Sequence, residues 1–157
     1  MITRTGDIVD RSRAQIMLGD YGICRAAALA DPALHLRALE LRRQYGARMQ
    51  ALDRHEIATK MPAGEYLASR KIDGEFTVVA VDGKAACTVN PGGTVRIGLP
   101  MLDEACKLLA KAGVKQALFA GELHVARDDR RPRVHDVSRV ARQPQTPAEL
   151  QSLRLAV

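Results

Sequence analysis

The spacing of apolar residues divides the chain into two regions. Between about residues 31 and 52 apolar side chains recur every three or four positions, whereas beyond residue 61 they form short runs separated by glycine-containing turns. The first spacing is typical of an amphipathic helix, and short β-branched runs between turns are typical of strands. The sequence therefore predicts a helical N-terminal segment, residues 1–60, followed by a second segment, residues 61–157, built mainly from antiparallel strands.

Two helices are predicted in the first segment. Asp31 and Pro32 form a helix start, because aspartate caps a helix and proline fits its first turn. We expect this helix to run to about Leu52, with arginines between its apolar positions. A shorter helix is predicted around Arg11–Met17, ending near Gly19.

The second segment alternates strands and turns around one internal helix. Phe76–Val81 is an apolar strand, and Asp82-Gly83 favours a tight hairpin turn after it. The remaining predicted elements are a returning strand to Val89, a turn at Asn90–Gly93, a strand over Thr94–Ile97, a helix over Met101–Ala112 that stops at Gly113, strands or one bent strand over 116–125, a turn at Asp128-Asp129, a strand over Arg133–Val137, and a helix that starts at Thr146 and runs to the chain end. Strands joined by hairpins indicate an α+β fold around an antiparallel sheet.

The positive charge of the chain is carried mostly by arginine. Lysine and arginine total 24 against 18 aspartates and glutamates, a net charge of +6, and 18 of the 24 cations are arginine. Arginine binds phosphates with a planar, bidentate group, which favours a nucleotide or nucleic-acid partner. A GC-rich genome, which favours arginine codons, is the alternative explanation. Aromatic residues make up only 3% of the chain, which argues against a stacking platform for single strands.

Membrane and disulfide signals are weak throughout. No run approaches the roughly 18–20 apolar residues that a membrane span requires. Cys24, Cys87 and Cys106 are odd in number and far apart, which predicts neither a disulfide framework nor a cysteine zinc site. The four histidines are dispersed. We therefore expect a cytoplasmic protein with no membrane partner and no metal site built from protein ligands alone.

Two short motifs carry the candidate chemistry. Lys71-Ile72-Asp73-Gly74 precedes the long apolar strand, and a shuffled chain of this composition would contain such a K-x-D-G pattern about 0.03 times. Phe119-Ala120-Gly121-Glu122-Leu123 follows, with Glu122 located 51 residues after Lys71. A lysine at the end of a predicted strand, followed by a glycine-containing turn and a long apolar strand, can point into a cleft, although Asp-Gly is also common in ordinary turns.

The first motif resembles the nucleotidyl-acceptor motif of the covalent nucleotidyltransferases: ATP-dependent DNA ligases, RNA ligases and mRNA capping enzymes. Phe119–Leu123 resembles the third motif of this family, and Val134-His135-Asp136-Val137 lies where the family has an aromatic residue that stacks on adenine. The resemblance covers residues 65–140 and implies the fold of part of the adenylation domain of a DNA ligase or mRNA capping enzyme.

The resemblance also implies a reaction. Lys71 would attack the α-phosphate of ATP, giving a lysyl–AMP intermediate and pyrophosphate, with Mg²⁺ on the phosphates. A lysine is ordinarily protonated at neutral pH, so desolvation, nearby cations and the metal must activate it. The implied partners are ATP and nicked DNA, with RNA as an alternative. The implied site residues are Arg70 beside the lysine, Asp73 orienting it or near the metal, Gly74 allowing approach to the nucleotide, Glu122 at the ribose or a metal-bound water, and His135 at the adenine.

Several positions depart from the family pattern. Phe76 replaces an arginine that usually contacts the nucleotide, and Ser69 replaces a glutamate that reads adenine in many DNA ligases. The fourth and fifth motifs, which supply a metal carboxylate and paired lysines, have no counterpart. We therefore expect an incomplete adenylation module that needs a missing segment or a second chain and adenylates itself slowly or undetectably. The alternatives are a non-catalytic relative that binds nucleotide, nucleic acid or a protein partner, and a surface lysine beside an ordinary turn.

Overall fold

Seven antiparallel strands form one curled sheet in the part of the chain that the structure describes. This structure is a computed structural model that describes residues 8–68 and 70–157. Residues 1–7 of the first predicted segment, and Ser69, lie outside the described residues. The strands are β1 (Gln15–Leu18), β2 (Tyr21–Arg25), β3 (Glu75–Asp82), β4 (Ala85–Val89), β5 (Thr94–Ile97), β6 (Gln116–Val125) and β7 (Leu153–Ala156), in the sheet order β1-β2-β5-β4-β3-β6-β7.

Five helices accompany the sheet in the same residues. They are α1 (Ala33–Arg48), α2 (Ile57–Lys60), α3 (Pro100–Lys111), α4 (Val134–Arg142) and α5 (Pro147–Ser152). The predicted α+β class is therefore confirmed. None of the described helices has the length and apolar character needed to cross a membrane.

Helix α1 starts where the sequence predicts. A carboxylate oxygen of Asp31 accepts a hydrogen bond from the Ala33 N–H at 2.9 Å, which satisfies one of the unpaired donors of the first turn. The helix ends at Arg48, so the predicted end at Leu52 is too late. Met49 is 70% exposed, and continuing the helix past it would add little of the tertiary packing on which helices depend.

The helix predicted at Arg11–Met17 is wrong. Arg11–Arg13 form a single 3₁₀ turn, capped by the Asp10 carboxylate, and the chain then enters β1. Strand β2 pairs with β5, so residues 15–25 belong to the same sheet as the later strands. The first segment is consequently not purely helical, because Tyr21 and Cys24 are buried on opposite faces of β2, which makes this strand an interior part of the sheet.

The hairpins of the second segment are confirmed. β3 and β4 pair around Gly83, whose φ of 62° suits the turn, and β4 and β5 pair across the turn at 90–93. Strand β6 is continuous and pairs with β3 over eight positions, from Glu75↔Leu123 to Asp82↔Gln116. Helix α3 is also confirmed, and Gly113 follows it with a positive φ of 75°.

Two predictions near the C-terminus are wrong. Residues 133–137 do not form a strand, because α4 begins at Val134. The side chain of Asp136 accepts a hydrogen bond from the Arg133 N–H at 2.8 Å, which caps this helix. Helix α5 starts after Thr146 as predicted, but it ends at Ser152, where β7 begins and pairs with the outer edge of β6.

Both faces of the sheet are covered. Alternate residues of β3 point to opposite sides, so Val78 packs with α1 residues such as Leu34, whereas Val79 packs with α3 and α4 residues such as Val140. We call these the α1 face and the α4 face. The position of a residue in the strand pairing therefore shows whether its side chain lies on the α1 face or on the α4 face.

Candidate functional site

The lysine motif lies against the end of β6. Gly74 immediately precedes β3, and a Cβ atom at this position would collide with the Leu123 carbonyl oxygen and lie 3.4 Å from Oε2 of Glu122. A side chain is excluded at this point unless the backbone moves. The absence of a side chain at Gly74 thus allows the two motifs to approach each other closely.

The loop that carries Lys71 is held by arginines from the segment after β6. Arg131 donates a hydrogen bond to the Lys71 carbonyl oxygen at 3.3 Å, and Arg133 donates to Oδ2 of Asp73 at 3.2 Å. The Lys71 side chain itself is exposed, and it makes no hydrogen bond or ion pair within residues 8–68 and 70–157. The main chain around the lysine is therefore tethered while its amine remains accessible.

Glu122 lies on the α1 face, directly opposite Phe76 in the β3–β6 pairing. Burial raises the pKa of its carboxyl group, the positive charges of Arg42 and Lys71 oppose this rise, and the negative charge of Asp73 adds to it. These groups are therefore within electrostatic reach of one another. We refer to Lys71, Asp73, Glu122 and Arg42 as the Lys71–Glu122 cluster.

Arg42 is a member that the sequence did not reveal. Its guanidinium carbon is 5.3 Å from the centroid of the Phe76 ring, and the Tyr45 ring is 6.1 Å from the same centroid. An arginine over an aromatic face is held by a cation–π attraction. In the sequence Arg42 is one of several arginines on an amphipathic helix, and only the packing of α1 on β3 distinguishes it from the others.

The other two predicted binding residues lie elsewhere or lack contacts. Arg70 is exposed and is adjacent to Lys71 in the chain. His135 is exposed in the first turn of α4, not in a strand, which corrects the predicted setting of an adenine-stacking residue. Among the described residues, no hydrogen bond joins His135 to the Lys71–Glu122 cluster.

Asp136, next to His135, organises the basic loop. It is 3% exposed and accepts hydrogen bonds from Arg127 at 3.1 Å, from Arg130, and from the Arg133 N–H. Burial alone would raise the pKa of Asp136, but these hydrogen bonds and the positive charges of Arg130 and Arg127 outweigh it and lower the pKa to about 2. A buried anion therefore fixes the loop that tethers Lys71 and Asp73.

A second polar cluster lies on the α4 face. Arg96 is 5% exposed and makes two hydrogen bonds to Glu75, at 2.6 and 2.9 Å. Asn90 donates to the same carboxylate at 3.0 Å. Tyr21, fully buried on this face, donates to the Ala141 carbonyl oxygen, and burial raises its pKa to about 12 despite the nearby charge of Arg96. The sequence alone does not predict this cluster, because its members come from separate strands.

The Lys71–Glu122 cluster fits a metal ion that arrives with phosphates. In the described ranges, no group of three or more metal-ligating side chains is present. Asp73 and Glu122 supply two carboxylates, and Mg²⁺ is commonly bound by one or two carboxylates together with substrate phosphates and water. These residues could therefore contact a metal–triphosphate complex, but they do not form a cage for a resident ion.

Comparisons of the chain with models of protein families, with curated proteins and with solved structures found no match. Inferences about function therefore rest on the residues themselves.

Proposed function

We propose that the chain is an incomplete adenylation module of an ATP-dependent polynucleotide ligase, with Lys71 as the nucleotide acceptor. The observation that carries this proposal is the meeting of the two motifs: Gly74 contacts the end of β6, and the charges of Lys71 and Asp73 act on Glu122. Two motifs separated by 51 residues in the chain thus supply an accessible amine and a half-buried carboxylate to one place.

The proposed reaction transfers AMP to the lysine. Lys71 loses its ammonium proton to solvent, and its Nζ forms a bond to the α-phosphorus of ATP. A second proton leaves Nζ to solvent as the phosphoramidate forms. The bond from that phosphorus to the bridging oxygen of pyrophosphate breaks, and pyrophosphate leaves with the electron pair. Mg²⁺, when bound with ATP, neutralises part of the charge on the leaving group.

The chain's own residues take the positioning roles. Tethering of the loop by Arg131 and Arg133 fixes the main chain around Lys71, which reduces the entropy lost when the amine meets the phosphate. Glu122 would hold the ribose or a water on the metal. Arg42, held on the Phe76 ring, is our candidate for the cation that contacts the phosphates. The resemblance implies an arginine that contacts the nucleotide at position 76, where this chain has phenylalanine.

Nicked DNA is the proposed final substrate, and the cytoplasm the proposed location. Support for a nucleic-acid partner comes from the arginines of the loop after β6, which extend the positive charge beyond the lysine. A non-catalytic nucleotide- or nucleic-acid-binding protein is the alternative, and the substitution of Phe76 for the expected arginine favours it.

Covalent labelling separates the two functions. The chain is incubated with α-labelled ATP and Mg²⁺, and intact-protein mass spectrometry looks for the mass of one added AMP. We expect only slow, acid-labile labelling of the wild type during long incubation, because the fourth and fifth motifs have no counterpart in this chain. Lys71→Ala should not label, and neither should Lys71→Arg, because a guanidinium stays protonated and is not a nucleophile. Lys84→Ala, which removes an exposed lysine from the β3–β4 turn, is the matched control and should label normally.

A second pair of variants tests the proposed phosphate contact. Arg42→Gln should slow labelling roughly 10²-fold, since that is a typical effect of removing one fixed charge contact from a transition state. Arg43→Gln alters the next residue of α1, whose guanidinium pairs with Glu40, and should have no effect. Saturable ATP binding without any label would favour the non-catalytic alternative, and label that persists in Lys71→Ala would refute the assignment of the acceptor.

A further inference from the structure

A cavity of about 530 Å³ lies on the α4 face, on the opposite side of the sheet from the Lys71–Glu122 cluster. Its floor comes from three adjacent strands: Gln15 and Arg96 both lie opposite Ile23 in the β1–β2 and β2–β5 pairings, which places the three residues on one face. Ser138 and Arg142, one turn apart on α4, form the facing wall. The volume is in the range of small-molecule sites.

The lining of this cavity is strongly cationic. Four arginines line it, Arg13, Arg25, Arg96 and Arg142, against one carboxylate, Glu75. Glu75 is already paired with Arg96, so three guanidinium charges lack a lining counter-ion. Within the described residues, Arg25 and Arg142 make no side-chain hydrogen bond or ion pair. The cavity therefore presents positive charge to whatever enters it.

At the base of the cavity is an unsatisfied donor. Both terminal nitrogens of Arg96 donate to Glu75, but its Nε is buried without a hydrogen-bond partner among the described residues. Because Nε has no exposed surface, an anionic group that enters the cavity does not contact it and instead meets the uncompensated guanidinium charges of Arg13, Arg25 and Arg142.

Neutral polar groups line the space between the arginines. Ser138 and Gln15 have no side-chain hydrogen bond within the described residues, and Thr94 contributes a third polar side chain. Such groups suit a ligand that carries hydroxyl groups as well as a charged end. Because Arg96 is only 5% exposed, a ligand that contacts its guanidinium must be small enough to enter the cavity.

We propose that this cavity is a second binding site, for a phosphorylated small molecule that bears hydroxyl groups. Its phosphate lies between Arg25 and Arg142, near Arg13. The site is spatially separate from the Lys71–Glu122 cluster, which lies across the sheet.

Calorimetric titration of the whole chain with ribose 5-phosphate tests the proposal, with ribose and inorganic phosphate as reference ligands. We expect saturable binding of ribose 5-phosphate, weaker binding of inorganic phosphate, and none of ribose. Arg142→Gln and Arg25→Gln should each lower the affinity for ribose 5-phosphate about 10-fold or more, because each removes a charge-assisted contact. Arg37→Gln, at an exposed position of α1 outside the cavity, is the matched control and should bind as the wild type does.

Two further variants separate the cavity from surface charge and from the proposed ligase site. Ser138→Met fills the cavity without altering the charge and should abolish binding, whereas Lys71→Ala should leave it unchanged even where labelling by ATP is lost. Absence of saturable binding at millimolar ligand would overturn the proposal. So would wild-type affinity in Ser138→Met, or an equal loss in Arg37→Gln, since either result would mean that the anion binds to the general surface charge.

Discussion

Phe76 and Glu122 are direct cross-strand partners, so an aromatic ring and a carboxylate share the α1 face at the end of the β3–β6 pairing. The Phe76 ring holds Arg42 on its face, with the guanidinium carbon 5.3 Å from the ring centroid. Phe76 thereby keeps a cation on the face where Glu122 lies, and the positive charge of Arg42 opposes the rise in the pKa of Glu122 that burial causes.

Glu122 should make the stability of the protein depend on pH. Its pKa is raised above the ordinary 4.5, so the folded chain binds more protons than the unfolded chain between the two pKa values. Stability should therefore fall as pH rises through this window, and Glu122→Gln should remove that part of the fall. Urea unfolding from about pH 4 to pH 8 measures it. Glu65→Gln, at an exposed position, should retain the wild-type slope, and identical slopes for Glu122→Gln and wild type would contradict the prediction.

Gly74→Ala should destabilise the protein by about 1–3 kcal/mol, because the new Cβ would collide with the main-chain oxygen of Leu123. Gly46→Ala is the matched control. Gly46 lies in α1, and a Cβ added there would meet no atom within 4 Å, so alanine should stabilise the helix by about 0.5–1 kcal/mol. Urea denaturation of both variants gives the two free energies of unfolding. Equal changes in the two variants would show that β3 and β6 do not approach as described.

Asp136→Asn should alter the stability of the protein in acid, at lower pH than the range in which Glu122 acts. The carboxylate has a pKa of about 2 in the fold against an ordinary 3.8, so it stabilises the native state above about pH 4 and loses this effect as pH falls towards 2. The variant should be less stable at neutral pH by about 1–3 kcal/mol, since a buried acceptor of charged hydrogen bonds is lost. Its stability should also vary less between pH 4 and pH 2, which circular dichroism during acid titration would follow. A parallel acid transition in both proteins would refute the assignment.

Arg96→Met should be strongly destabilising, by about 3–5 kcal/mol, because it leaves the Glu75 carboxylate buried without its partner. Replacing both residues, as Arg96→Met with Glu75→Met, should cost less than Arg96→Met alone, since neither charge then remains buried. Arg43→Met breaks an exposed pair with Glu40 and should change stability little. Urea unfolding of the wild type, Arg96→Met, Glu75→Met and the double variant measures the coupling, and additive effects of the two substitutions would contradict it.

Short sequence motifs correctly predicted the elements that are stabilised by residues close to them in the chain. Asp82-Gly83 defines the hairpin and Asp31 caps α1, and both depend on only a few neighbouring residues. The prediction of a strand at 133–137 was wrong because it was based on the β-branched residues and overlooked a helix cap. The Asp136 carboxylate accepts a hydrogen bond from the Arg133 N–H, and the helix that starts there buries Val137. Strand β1 was missed for a tertiary reason, since its pairing with β2 continues a sheet completed about seventy residues later.

The residues of the candidate site likewise fall into two groups: those that a short motif predicts and those that only the tertiary structure reveals. Lys71, Asp73, Gly74 and Glu122 were found because they fall in short motifs. Arg42 comes from a helix roughly thirty residues before the lysine, and nothing in the local sequence separates it from Arg43. Arg96 and Glu75 lie on different strands, and they meet only because of the way these strands are aligned in the sheet. The pattern of hydrophobic residues alone does not specify that alignment.

Because Glu75 and Phe76 are successive residues of β3, the two sides of this strand belong to different polar clusters. Glu75 anchors Arg96 on the α4 face, and Phe76 supports Arg42 on the α1 face. A ligand that shifts this part of β3 along its axis while bound on one side therefore changes the geometry on the other. Thermodynamic reciprocity then requires that any effect of an organic phosphate on ATP affinity is matched by an equal effect of ATP on the affinity for that phosphate. The peptide unit that joins Glu75 to Phe76 would then couple ligand binding on one face of the sheet to ligand binding on the other.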